Sequence, residues 1–141
     1  MDPNTFYKIL EHTADIGVEL EAPDEAAVFT RSALAMFDLM YGLDAISKKR
    51  SRRISVSGDN LEELLVAWLN EVLFVHAAEN LAFCEFTEAS LSKGAFSALA
   101  WGEKVDPRVH RCDMEIKAAT YHRLSVERRG GLWKASIIFD V

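Results

Sequence analysis

The sequence predicts an α+β fold, a largely antiparallel β-sheet with two main helices packed against it. Three observations carry this reading. Near the start, apolar residues alternate with polar ones in two short runs; they then recur at three- and four-residue spacing in two longer segments; the remainder returns to short alternating runs. At 141 residues the chain is long enough to bury a core, and it is read as a single domain over residues 1–141.

The runs Phe6 to Leu10 and Ile16 to Leu20 predict two strands around a turn at His12–Asp15. In the second, Ile16, Val18 and Leu20 face one way and Gly17, Glu19 and Glu21 the other. Asp24 is placed to cap a helix, with Glu25 in its first turn. Ala26, Phe29, Ala33, Met36, Phe37 and Met40 give that helix one apolar face, and Gly42 ends it. Ile54, Val56 and Gly58 predict a third strand. Asp59 with Glu62 suggests a capping box for a second helix, striped by Leu61, Leu65, Trp68, Val72 and Val75 and expected to be the most buried element. Five strands are then expected: Ala82 to Glu88, Phe96 to Trp101, Met114 to Ala118, Leu124 to Arg128, and Trp133 to Phe139. Gly130-Gly131 suits a tight hairpin between the last two, and the segment from Gly102 to Arg111 is expected as a loop.

Composition narrows the function classes. Half of the residues are hydrophobic and 27% are charged, as in ordinary globular domains. No apolar run approaches the ~20 residues that span a bilayer, and Met1 to Phe6 lacks the features of a signal peptide. Cys84 and Cys112 are far apart, which suggests free thiols in a reducing compartment, and a cytoplasmic location is expected. The net charge of −6 is uneven: residues 1–47 hold nine acids and two bases, whereas Lys48-Lys49-Arg50-Ser51-Arg52-Arg53 holds five bases. An acidic chain with one basic run does not suit a primary nucleic-acid binder. It suits docking on a basic protein. The basic run itself is expected as a solvated loop and a charged strand start, with a contact to RNA or to a protein partner as the alternative.

The last predicted strand runs directly into Asp140 and Val141. An aspartate side chain beside the terminal carboxylate would repel unless a cation intervened, and a hard divalent ion takes oxygen ligands of this kind. Asp15 offers a third carboxylate if the strand ends meet. The blander alternative is that Asp15 caps a turn and Asp140 is a solvated acid. An oxygen-only set favours calcium or magnesium over zinc. A zinc site from His76, His110, His122, Cys84 and Cys112 lacks the usual paired-cysteine spacing. Neither cysteine sits in a nucleophile motif, and no phosphate-binding glycine loop is present. Asp38 could join a second acidic shell but reads better as helix-surface charge, and Tyr121 reads equally as part of a functional Glu115 to His122 stretch or as a buried ring with a bonded hydroxyl.

Glu11-His12-Thr13-Ala14-Asp15, Leu64 to Glu71, Trp101-Gly102-Glu103, Glu115 to His122 and the terminal Asp140-Val141 together resemble the archease family. The resemblance covers nearly the whole chain; Phe74 takes a place where tyrosine is common, and Ala119 one where a larger β-branched residue is usual. It implies an archease-like fold and a protein that is not itself an enzyme. The implied role is activation of an RtcB-type RNA ligase in tRNA splicing and RNA repair, by promoting guanylylation of the ligase by GTP and its multiple turnover. RNA and GTP would be met only through the ligase, and no membrane is implied. The resemblance assigns metal ligation to Asp15, Asp140 and the Val141 carboxylate, with calcium first and magnesium or manganese as alternatives. It places Lys117, His12 and Thr120 on the functional surface, although His12 and Thr13 also suit a role in holding the turn. The rival functional readings are a chaperone or modulator of RNA-modifying proteins and a stand-alone metal-dependent hydrolase, for which the sequence offers no convincing base or nucleophile.

Overall fold

The computed structural model describes residues 6–11 and 15–141. Seven strands and two helices follow the order β1 (Tyr7–Glu11), β2 (Asp15–Ala22), α1 (Glu25–Tyr41), β3 (Arg50–Ser57), α2 (Leu61–Glu79), β4 (Leu81–Ser92), β5 (Ala95–Lys104), β6 (Ala118–Arg129) and β7 (Leu132–Asp140), with a single 3-10 turn at Leu43–Ala45 after α1. The antiparallel strands and two helices agree with the α+β expectation. The strands divide between two sheets, ordered β1-β2-β7-β6 and β3-β5-β4. Each helix touches strands of both sheets.

The local chemistry explains the helix ends. Asp24 Oδ1 accepts from the Ala27 N–H at 2.8 Å, capping α1. Gly42, at φ +80°, closes α1 by donating its N–H to the Asp38 carbonyl at 2.9 Å. The cap of α2 is one residue later than expected: Asn60, not Asp59, accepts from the Glu63 N–H at 2.8 Å. The two helices bury eight residues each, so α2 is not the most buried element. They are joined by the Trp68 indole N–H, which donates to the Phe29 carbonyl at 2.9 Å inside the core. Phe29 and Trp68 both pack on Phe96 of β5, while Val18, Leu20, Ala135, Ile137 and Phe139 supply the core from β2 and β7.

Two strand expectations are corrected. Met114 to Lys117 is not a strand, although its alternation is real: Ile116 is buried while Glu115 and Lys117 are exposed. Among the described residues no strand pairs with the segment along its length, and β6 begins only at Ala118. Conversely, β5 continues through Gly102 to Lys104, shortening the expected loop. Gly130 and Gly131 form the β6–β7 hairpin with φ of +55° and +88°, a backbone that side-chain-bearing residues rarely adopt.

Candidate functional site

The ends of β2 and β7 coincide. Their antiparallel register pairs Ile16 with Phe139 and Asp15 with Asp140. Directly opposed residues of an antiparallel pair lie about 4.5–5.5 Å apart at Cα and project from the same face. Phe139, Ile16 and Ala119 turn into the core, so the next row, Asp15, Asp140 and Ala118, faces the other way. Asp15 is half-buried, whereas Asp140 and Val141 are exposed. Like charges directly opposite each other destabilise a bare strand pair.

The third edge of the site is the entry to β6. Ala118 pairs with Asp140 on the side away from Asp15, and the Lys117 N–H donates to the Asp140 carbonyl at 2.8 Å. Lys117 is therefore held at Asp140 through its backbone and carries an exposed ammonium, but it precedes the strand it was expected to occupy. The Thr120 hydroxyl donates to the Ile138 carbonyl at 2.9 Å and accepts from the His122 N–H at 3.3 Å, which secures β6 beside its irregular stretch. His12 and Thr13 lie outside the described residues. Tyr121 is 59% exposed rather than a buried ring.

Sequence reasoning missed Asn70 as a site-building residue. Its side-chain amide behaves as a surrogate strand for β6: Oδ1 accepts from the Ala119 N–H at 2.8 Å and Nδ2 donates to the Ala119 carbonyl at 3.2 Å. Ala119 pairs with Phe139 on its other side, so α2 fixes the row adjoining Asp140. The signal was present: an asparagine within the apolar run Leu64 to Val75 has to find polar partners.

The remaining polar candidates have structural partners. Asp38 accepts from the Tyr7 hydroxyl at 2.8 Å and the Leu43 N–H at 3.0 Å, tying β1 to the end of α1. Burial, and then the bond to Asp38, push the Tyr7 phenol well above its ordinary pKa. His110 Nδ1 accepts from the Asp106 N–H at 2.8 Å, which leaves Nε2–H to donate to Glu103 Oε2 at 2.8 Å. The basic run forms ion pairs: Lys48 with Glu85, Lys49 with Glu103, Arg52 with Glu79 and Arg53 with Glu88.

As a donor set, the β2–β7 end consists of paired carboxylate oxygens, which suits a hard cation. Among the described residues no group of three His, Cys, Asp or Glu side chains is arranged to hold a metal ion. The two aspartates thus form a pair that needs a further donor, and the carboxylate that the resemblance assigns to Val141 is one residue beyond Asp140.

Helices in contact with two antiparallel sheets, with opposed acids at the meeting point of the first sheet's central strands, define a two-sheet α+β protein with an acidic strand-end site. Residues 7–141 match the model of the archease protein family, and the chain belongs to that family. It is 37% identical over 139 residues to the archease of Methanosarcina mazei, covering 96% of this chain and 95% of that one. The solution structure of protein 1598 of Methanobacterium thermoautotrophicum superposes with a TM-score of 0.83 at 30% identity, covering 96% and 99% of the two chains. A crystal structure of an archease from Thermotoga maritima, described as a possible chaperone, shares the fold with a TM-score of 0.63 at 21% identity, over 95% and 96%.

Proposed function

We propose that this protein is a non-catalytic activator of an RtcB-type RNA ligase, acting through the Asp15/Asp140 strand-end site to promote ligase guanylylation by GTP and multiple turnover. The observation that carries the reading is the β2–β7 register, which sets two carboxylates opposite each other on one face. Asp15 and Asp140 would hold a divalent ion, calcium first, with the Val141 carboxylate as the further ligand. When bound, the ion supplies positive charge suited to phosphate oxygens. The chain's own residues do the positioning. β2 and β7 set the spacing of the acids, Asn70 and Thr120 hold β6 against them, and Lys117 adds a cation at the rim.

The test is single-turnover guanylylation and multiple-turnover ligation by the cognate ligase. It uses wild type, Asp15→Ala, Asp140→Ala and a form extended by two glycines after Val141. Wild type is expected to accelerate both steps, and the three variants to lose that acceleration while keeping their far-UV spectra. Variants that stimulate as well as wild type would overturn the site. Stimulation that survives Asp140→Ala would instead favour a chaperone-like modulator.

A further inference from the structure

Of the five bases from Lys48 to Arg53, four are matched by single acids and Arg50 is not. Lys48, Lys49, Arg52 and Arg53 pair with glutamates, and among the described residues no carboxylate pairs with Arg50. Arg50 opens β3 opposite Gly102 of β5, and Lys104 ends β5 two residues further on. Both are exposed and line a cleft of about 350 Å³ that also holds Lys49 and two acids, Glu103 and Asp106.

The cleft favours an anion because its acids are already engaged. Glu103 is buried; its Oε2 accepts from the Ser47 N–H and from His110 Nε2–H, and its Oε1 lies 3.3 Å from the Lys49 ammonium. Both Asp106 oxygens accept from Arg108. His110 adds no charge, since its Nδ1 accepts from the Asp106 N–H. The Lys104 ammonium donates to the Glu79 carbonyl at 2.7 Å, an uncharged partner, while Arg52 takes the Glu79 carboxylate. Arg50 and Lys104 therefore bring two charges to the cleft that no ion pair cancels among the described residues. A guanidinium fork beside an ammonium suits phosphate oxygens.

The form of the cleft narrows the source of that phosphate. Enclosing sites for a free phosphate use a cradle of backbone N–H groups. Here the Ser47 N–H is bonded to Glu103 and the Lys49 N–H to the Gly102 carbonyl at 3.0 Å, so side-chain charge is left to do the binding. No Phe, Tyr or Trp lines the cleft, so a base has no ring to stack on. Charge without a cradle or a stacking platform is the form of a contact to a strand's backbone.

We propose that the Arg50/Lys104 cleft binds backbone phosphate of an RNA strand without reading its bases. In a chain of net charge −6 this is an auxiliary hold of one or two phosphates, not a broad binding face. The proposal stands apart from the activator reading, since it needs neither the ligase nor the acidic pair.

The experiment follows the anisotropy of a labelled oligo-uridine strand titrated with the isolated protein, between about 50 and about 200 mM salt. A chelator is present, so that no divalent ion bridges RNA to the acidic pair. Wild type is compared with Arg50→Ala, Lys104→Ala, Arg50→Lys and Arg111→Ala, the last an exposed base outside the cleft, and melting temperatures confirm that each variant is folded. Wild type is expected to bind with a logarithmic salt slope of about −1.4, from two contacts of about 0.7 each. Arg50→Ala and Lys104→Ala should each weaken binding at least about fivefold at the lower salt and flatten the slope by about 0.7. Arg50→Lys, which keeps the charge, and Arg111→Ala should bind like wild type. No binding by wild type at the lower salt overturns the proposal, as does binding that Arg50→Ala and Lys104→Ala leave unchanged. Displacement of the RNA by an equal concentration of pyrophosphate would make this a free-phosphate site, and by an oligo-glutamate a carboxylate site; either result overturns the strand as its ligand.

Discussion

Asn70 shows how one side chain can take the place of a strand. Its amide satisfies both backbone groups of Ala119, a residue buried at the start of β6. Asn70→Ala would leave a buried N–H and C=O without that partner, at a cost of about 1–3 kcal/mol. Asn70→Asp keeps the acceptor but turns a carboxylate oxygen toward the Ala119 carbonyl, and is expected to be no better than Asn70→Ala. Urea midpoints check the stability. Hydrogen exchange at the Ala119 amide checks the mechanism, since it should accelerate more in Asn70→Ala than at amides of the β2–β7 ladder. At this scale the sequence was partly legible. Asp24 and Gly42 announce their caps because capping is local chemistry. Asp38 did not disclose its role, because its partner Tyr7 lies on another element and no spacing rule relates the two.

Among the elements, strand periodicity showed which side chains face inward but not which strands pair. Met114 to Lys117 has the right alternation, yet among the described residues a single ladder-like bond, from the Lys117 N–H to the Asp140 carbonyl, precedes β6. The basic run was likewise legible as a charged strand start. Its acidic partners on β4, β5 and α2 come together only when the second sheet and α2 assemble. Gly102 of β5 is a different kind of element-level constraint. A Cβ there would lie 1.8 Å from the Ala82 carbonyl oxygen on β4, where backbone cannot yield as a flexible side chain would. Gly102→Ala is therefore expected to destabilise by roughly 3 kcal/mol, at the upper end of overpacking costs. Chemical denaturation measures it, and a change below about 0.5 kcal/mol, the range of ordinary surface substitutions, would mean that the β4–β5 pairing relaxes more easily than its geometry implies.

For the whole molecule, the division into two sheets was not written in the periodicity, which is the same for one large sheet or two. The meeting of Asp15 with Asp140 was legible only through the resemblance, because it depends on β2 and β7 being neighbours. A second long-range junction makes a pH prediction. Glu103 is only 8% exposed and joins the chain after α1 to β5 and the following loop. The Ser47 N–H donating at 2.7 Å, then His110 and Lys49, hold its carboxyl below the ordinary range. A depressed folded pKa contributes stability that is complete above the ordinary carboxylate value of about 4.3 and is lost as pH falls through the folded value. Glu103→Gln should be less stable than wild type at neutral pH, and the gap should close as the pH is lowered below about 4.3. Urea midpoints across that range test this; a gap independent of pH would remove ionisation from the account.

If the opposed acids hold a cation as proposed, they also tie its binding to folding. Asp15 and Asp140 sit near opposite ends of the sequence and become neighbours only when β2 is zipped to β7. Whatever cation uses both therefore binds the native chain and not the unfolded one, and at a hundredfold excess over its dissociation constant adds about 2.7 kcal/mol to stability. The melting temperature thus becomes a reporter of occupancy. It should climb with the logarithm of calcium concentration in wild type and stay level in Asp140→Ala.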